Sequence, residues 1–294
     1  MHKSSIYLPD ELKRDLADLA TRTGRSEADL IRHAIEGLLA VAGTPAAPAA
    51  PAMPAHPRPA LIGVGVGPGD PGLVTDRARA TLDGADRVLV ISTDVRSVGR
   101  AEMVVRSVAP TAHVQRVAFA IGGDADARLA SLRDVAAKAL AALDAGELVA
   151  VAVIGDPSQW TLFPDLAAQV RAARPSVHIS AEAGITSYQA AAAASGAALG
   201  LAGAALVVVD DADDLRRHLK TGTDSVVLYK ASTDSSTVKA AATRADRHDA
   251  IVAELSGLPG QRLVPLTDTP DGPISYLATV VFPARHPATS PVPA

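Results

Sequence analysis

The chain has 294 residues, among them 60 alanines, only 8 aromatic residues and no cysteine, and carries a formal net charge of -4. This length suits one large or two ordinary domains, and 48% hydrophobic with 20% charged residues excludes a collagen-like or wholly disordered chain. The missing cysteines exclude a disulfide scaffold, a thiolate metal site and a cysteine nucleophile, and the charge argues against nucleic-acid binding along the whole length.

The first residues contain no apolar core of a secretory signal, so a cytoplasmic chain is expected. His2 to Leu8 alternates, with Ser4, Ile6 and Leu8 on one side and Lys3, Ser5 and Tyr7 on the other, which predicts a strand. Pro9-Asp10 opens a helix with Leu12, Leu16, Leu19 and Ala20 at helical spacing, and Gly24 breaks it. Ser26, with Asp29 three residues on, reads as a capping-box variant that starts a second helix, whose stripe is Leu30, Ile31, Ala34, Ile35 and Leu38. One strand and two short helices cannot bury these stripes alone, so residues 1–42 are expected to dimerise.

Residues 43–59 hold six prolines and a single charge, Arg58, and read as a Pro/Ala linker. Beyond it, apolar runs alternate with helical patterns. Strands are predicted at Leu61–Val66, Arg87–Ile91, Val114–Ala118, Leu148–Ile154, Val177–Ala181, Ala205–Val209 and Ser225–Tyr229, with two more near Ile251–Leu255 and Ser275–Phe282. Helices fit at 76–84, 125–145, 162–173, 187–195, 211–220 and 235–243. The alternation predicts an α/β fold with mostly parallel sheets covered on both faces. Ala183 to Val209 lacks any charge and is long enough to span a bilayer, but its glycines at 196, 200 and 203 read as helix, turn and strand, so no membrane span is expected. Residues 284–294 form a second Pro-rich segment, expected to be disordered.

Three loops follow predicted strands. Gly63-Val64-Gly65-Val66-Gly67-Pro68-Gly69-Asp70-Pro71-Gly72 lacks the spacing of a dinucleotide fingerprint and has no Walker lysine. It either brings bare backbone close to a ligand or makes a tight strand–helix turn. In Ile154-Gly155-Asp156-Pro157 the aspartate suits a ribose hydroxyl or an amino group, or caps the next segment. In Ala183-Gly184-Ile185-Thr186-Ser187-Tyr188-Gln189, Thr186 or Ser187 is a natural helix cap whose hydroxyl could also meet a ligand. The eight histidines, among them His113, His178, His218 and His248, show no ligand spacing, so no metal site is expected.

Two resemblances follow. Lys3 to Pro9, then helix, Gly24-Arg25-Ser26 and helix, resembles the ribbon-helix-helix DNA-binding domains over about residues 2–40. That implies a βαα dimer with Lys3, Ser5 and Tyr7 facing bases and Arg25 and Ser26 facing phosphate. Six Lys/Arg against seven Asp/Glu in residues 1–40 make a poor footprint for DNA, so dimerisation without DNA stands beside that reading. The ordered loops, with Val227-Leu228-Tyr229-Lys230, make residues 60–283 resemble the tetrapyrrole (corrin/porphyrin) methylase family, on the precorrin-2 C20-methyltransferase branch.

The second resemblance implies two α/β domains, 60–183 and 184–283, a homodimer, and S-adenosyl-L-methionine bound in the cleft between the domains. It implies that Pro68, Ile154, Gly155, Asp156, Gln159, Thr186, Ser187 and Lys230 line the cofactor site. The implied substrate is a precorrin-type tetrapyrrole, whose carboxylates want arginines such as Arg77, Arg79, Arg96, Arg100 or Arg116. Methyl transfer from a sulfonium is mostly alignment, so no catalytic residue is assigned. The chain departs from the branch at Ser158-Gln159-Trp160-Thr161, where a Leu-Phe-Tyr-Ser-like run is usual, and at Ala183-Gly184, where Pro-Gly is usual. These departures, with the N-terminal segment, also suit a transcription regulator that senses a corrinoid or S-adenosyl-L-methionine without turnover.

Overall fold

A computed structural model describes residues 8–43 and 56–285, apart from 121–123, 221, 223, 231–232, 259 and 276. The chain divides into two compact units, Met1–Pro54 and Ala55–Ala294.

The first unit contains α1 (Asp10–Thr23) and α2 (Glu27–Gly43). Pro9 precedes α1, Asp10 and Glu11 occupy its first turn where the helix dipole favours acids, and Gly24 ends it at φ 66°. The Ser26 hydroxyl accepts from the Asp29 N–H at 3.1 Å and donates to Asp29 Oδ2 at 2.7 Å, so it caps α2 as the spacing predicts. No residue of α1 is buried, and Leu12, Leu19 and Ile35 stay exposed. The predicted strand with Lys3, Ser5 and Tyr7 lies outside the described residues.

The second unit begins earlier than the linker composition suggests. His56 Nε2 lies 3.0 Å from Thr81 Oγ1 and 3.2 Å from Glu182 Oε1, while Arg58 pairs with Asp86, so the last residues of the predicted linker are anchored. There follow β1 (Ala60–Gly65), α3 (Asp76–Gly84), β2 (Arg87–Ser92), α4 (Arg100–Val108), β3 (Val114–Ala118), α5 (Ala125–Asp144), β4 (Leu148–Val153), α6 (Phe163–Ala173) and β5 (His178–Glu182). All five strands are parallel, in the order β3-β2-β4-β1-β5. Every residue of β1 and β4 is buried, as expected of central strands covered on both faces. Alternate residues serve opposite cores: Ile62, Val64, Val88 and Val90 pack with Leu82 of α3 and Val105 of α4, while Leu61, Leu89, Val149 and Val151 pack with Val135 of α5 and Leu166 of α6. Helix α4 was not among the predicted elements. Its Ala101, Val104, Val105 and Val108 are helically spaced, but its N-cap is Gly99, which makes no side-chain cap bond, whereas Thr75 caps α3 and Thr186 caps the later helix Ser187–Ser195.

The chain continues through α7 (Ser187–Ser195), β6 (Leu206–Val209), α8 (Ala212–His218), β7 (Ser225–Tyr229), β8 (Thr233–Asp234), α9 (Ser235–Arg244), β9 (Ile251–Glu254), β10 (Arg262–Pro265), β11 (Pro273–Ile274) and β12 (Thr279–Phe282). The second sheet, ordered β10-β9-β12-β7-β6, corrects the expectation of mostly parallel sheets. Only β6 and β7 are parallel; β12 enters between β7 and β9 antiparallel to both, and β10 pairs antiparallel with β9. For β9 and β10 the cause is connection length: a parallel return needs a crossover of about a dozen residues or more, and the segment between them is shorter and carries no helix. On one face Leu215 of α8 and Val238 of α9 meet Val226, Leu228, Val252 and Val280; on the other Tyr188 and Ala191 of α7 meet Val227, Tyr229 and Val281. Among the described residues no helix is long and apolar enough to cross a membrane, and the charge-free stretch resolves into α7, a loop and β6.

Candidate functional site

The loops leaving β1, β4 and β5 meet without side chains between them. The Gly155 N–H donates to the Gly67 carbonyl at 2.8 Å, and a Cβ at Gly184 would lie 2.0 Å from the Gly155 carbonyl oxygen and 2.8 Å from Gly65 Cα. Only glycine fits there.

Asp156 ties the same loops together. Its Oδ2 accepts from the Gly184 N–H at 2.9 Å, and its Oδ1 accepts from the Ser158 N–H at 2.8 Å and from the Ser158 hydroxyl. Burial pushes this carboxyl up, but the hydrogen bonds from Ser158 and Gly184 outweigh it and hold the group below the ordinary aspartate range. Both oxygens are thus engaged within the chain. Of the alternatives open in the sequence, the turn-holding role is the one visible.

Thr186 is also a cap. It is buried, its hydroxyl accepts from the Gln189 N–H at 3.3 Å, and Gln189 Oε1 accepts from the Thr186 N–H at 2.9 Å, a reciprocal box at the start of α7. The next residue, Ser187, shares a hydrogen bond with Thr279 of β12 at 2.9 Å, which joins α7 to the second sheet. Gln159 Oε1 accepts from the Tyr188 hydroxyl at 2.9 Å. The Tyr229 ring stands edge-on to Tyr188 at 5.6 Å and to Trp160 at 5.5 Å.

Lys230 follows β7 in the left-handed region, at φ 58°. Its Nζ donates to the Trp160 carbonyl at 3.0 Å and lies 5.2 Å from the Tyr229 ring centroid. Burial pushes its ammonium below the ordinary lysine range. Trp160, itself at φ 47°, donates its indole N–H to Asp210 at 3.0 Å.

Segments that follow β1, β2, β4, β5, β7 and β9 line one partly open cleft. Of the residues singled out in the sequence, Pro68, Ile154, Ser187 and Lys230 line it, whereas Gly155, Asp156, Gln159 and Thr186 do not and support the loops that do. Tyr229, Ser256 and Thr279 also line it and escaped the sequence reading, as did the apolar Leu277 and Ala278. Tyr229 lies in the Val227-Leu228-Tyr229-Lys230 run; Ser256 carries only the weak signal of a following glycine after a strand. Of the five candidate arginines, Arg100 alone lines the cleft. Arg25 and Ser26 belong to the first unit, where Ser26 is spent on its helix cap. Asp210 and Asp211, exposed, and Asp214, half-buried, bring carboxylate oxygens within 4.8 Å of one another, but Asp210 holds Trp160, Asp211 caps α8 and Asp214 pairs with Arg217.

Three comparisons bear on this geometry. The sequence profile of the family Tetrapyrrole (Corrin/Porphyrin) Methylases matches residues 60–269. No curated protein matches the chain. Among solved structures, the cobalt precorrin-4 methyltransferase CbiF is similar with 21% identity over 75% of this chain and 93% of its own, at a TM-score of 0.55. The uroporphyrin-III C-methyltransferase of Thermus thermophilus, complexed with S-adenosylhomocysteine, has 20% identity over 76% of this chain and 92% of its own, at a TM-score of 0.54. The cobalamin-synthesis-related protein CobF of Corynebacterium diphtheriae has 18% identity over 70% and 84%, at 0.55. These likenesses show a shared fold.

Proposed function

The chain belongs to the tetrapyrrole (corrin/porphyrin) methylase family, and from that premise we propose that it is an S-adenosyl-L-methionine-dependent C-methyltransferase acting on a precorrin-type tetrapyrrole, with C20 methylation of precorrin-2 as its specific reaction. We read its two sheets as two α/β domains, 60–183 and 184–283. The observation that carries the proposal is the convergence of Pro68, Ile154, Ser187 and Lys230, from four separate segments of the chain, on one cleft.

The lining fits such a cofactor. Pro68, Ile154 and Ala278 give an apolar wall, Ser187 and Thr279 give hydroxyls, and Lys230 spends a single N–H on the Trp160 carbonyl, which leaves donors for a carboxylate. When bound, S-adenosyl-L-methionine supplies a methyl group already activated on a sulfonium. Pro68, Ile154, Ser187 and Lys230 would hold it directly; Gly155, Asp156, Gln159 and Thr186 would act by fixing those residues in place. The work left to the chain is alignment and exclusion of water, worth several orders of magnitude where the reacting groups are held in line. Isothermal titration with S-adenosylhomocysteine tests the proposal: saturable binding is expected, and no heat at millimolar ligand sinks it.

For residues 1–42 we infer a ribbon-helix-helix element whose helices pair with a second copy. The support is the uncovered Leu12 and Leu19 of α1 and Ile35 of α2. Removing residues 1–54, which spares the His56 and Arg58 anchors, should lower the oligomeric state in light scattering; an unchanged mass excludes this role. A regulator that binds DNA through Lys3, Ser5, Tyr7, Arg25 and Ser26 predicts instead a ligand-dependent gel shift on the upstream promoter.

A further inference from the structure

Resting on the methylase reading above, we propose that Arg100 and Ser256 together receive a carboxylate side chain of the tetrapyrrole and so select a ring that carries several such groups. The two residues come from different sheets. Arg100 opens α4 after β2, Ser256 follows β9, and both line the one cleft.

Each is incomplete as it stands. The Ser256 side chain is buried, with 4% of the residue exposed, and its hydroxyl has no hydrogen-bond partner among the described residues. Buried hydroxyls are paired in the large majority of proteins, so an orphan at the wall of a cleft points to a ligand atom. Arg100 is half-buried and makes no hydrogen bond or ion pair with a described residue, and burial without a neighbouring carboxylate pushes its guanidinium below the ordinary range. It also occupies the first turn of α4, where the helix dipole disfavours a cation. Nothing in the fold offsets that placement.

The other four candidate arginines are all committed. Arg77 makes two bonds to Glu182 at 2.7 and 3.0 Å, and Arg79 donates to the Val108 carbonyl at 3.1 Å. Arg96 pairs with Asp94 at 3.0 Å, and Arg116 pairs with Glu102. Among the described residues no aspartate or glutamate lines the cleft, where Arg100 and Lys230 bring two cations. A guanidinium presents a planar fork that matches both oxygens of a carboxylate, and a hydroxyl adds one further donor. The methionine carboxylate of the cofactor has the same chemistry; Lys230, which lines the same cleft with donors to spare, can serve it, so the ring carboxylate is the occupant assigned to Arg100 and Ser256.

The test uses the full chain and two probes, uroporphyrin III for a polycarboxylate ring and S-adenosylhomocysteine for the cofactor. Arg100→Gln should weaken uroporphyrin III about tenfold or more while S-adenosylhomocysteine stays within about twofold, and Arg100→Lys, which keeps the charge without the fork, should recover part of the loss. Ser256→Ala should weaken uroporphyrin III about threefold. The melting temperature of Arg100→Gln should hold or rise, since an unpaired charge is removed; a structural role would lower it. Unchanged uroporphyrin III affinity in Arg100→Gln overturns the assignment, and so does a loss confined to S-adenosylhomocysteine, which gives Arg100 to the cofactor tail. Wild-type chain that binds S-adenosylhomocysteine but not uroporphyrin III overturns the receptor alone; binding of neither overturns the methylase reading with it.

Discussion

Asp156→Asn separates a scaffold aspartate from a ligand-binding one. The asparagine amide keeps a single oxygen, so it can serve either the two donors of Ser158 or the N–H of Gly184, which now meet at Oδ1 and Oδ2. With the oxygen left on Ser158, the amide NH₂ faces the Gly184 N–H. A charge-assisted hydrogen bond of about 1.5–3 kcal/mol is lost, and an unpaired N–H adds part of about 1–3 kcal/mol, so a net cost of about 2–4 kcal/mol is expected. Urea unfolding followed by circular dichroism reads this as a midpoint lower by about 1 M, given a slope of about 3 kcal/mol per molar. The pH dependence has a definite sign. The folded carboxyl titrates below its ordinary range, so its contribution is present above the unfolded value of about 4 and fades as pH falls through the folded one. The gap between wild type and variant should therefore close in acid. A variant as stable as wild type at pH 7 that has lost only S-adenosylhomocysteine binding would refute the scaffold role.

Three further outcomes follow from the packing. Glu102 is 1% exposed and receives Arg116 and Arg106, so Glu102→Gln should cost about 3 kcal/mol in chemical unfolding, the low end for a broken buried pair because both arginines reach solvent. The Arg116 hydrogen bond holds the Glu102 carboxyl down against burial, so this variant should also flatten the acid limb of the stability curve below about pH 4. Phe163 lies over Gly63, where a Cβ would come within 2.6 Å of its ring, and Phe163→Ala should destabilise by about 3–5 kcal/mol in the same assay. Trp160 is the chain's single tryptophan, 43% exposed and edge-on to Tyr229 at the cleft, so S-adenosylhomocysteine should shift its emission on titration, and Trp160→Phe should abolish the signal while calorimetric binding remains.

What the sequence made legible was what is local. Strands β3 and β7 fall on their predicted residues; β7 is buried along its whole length, and such a run announces itself by apolar density alone. Helices α3 and α7 start where Thr75 and Thr186 cap them. Strand direction in the second sheet was hidden, because it depends on which strand receives β12 at the end of the chain, and no periodicity encodes that. The short edge strand β10, with Arg262 exposed and Pro265 at its end, has too little apolar patterning to register.

The candidate site divides the same way. The resemblance implies eight cofactor-site residues and the cleft gathers four of them, Pro68, Ile154, Ser187 and Lys230; Asp156 finds its partner Gly184 28 residues away, and Lys230 finds the Trp160 carbonyl 70 residues away. Such pairings decide whether a polar side chain is free for a ligand, and they exist only once the chain has folded. Arg100 shows the converse: five arginines look alike in sequence, and only the fold leaves one of them unpaired at the cleft.

Methyl transfer to a tetrapyrrole is read most directly from its product. Precorrin-2 incubated without oxygen with the full chain and S-adenosyl-L-methionine, then read by mass spectrometry, should gain one methyl group, carried at C20, with S-adenosylhomocysteine formed in equal amount. Precorrin-2 recovered unchanged, with the methyl donor unconsumed, would contradict the account.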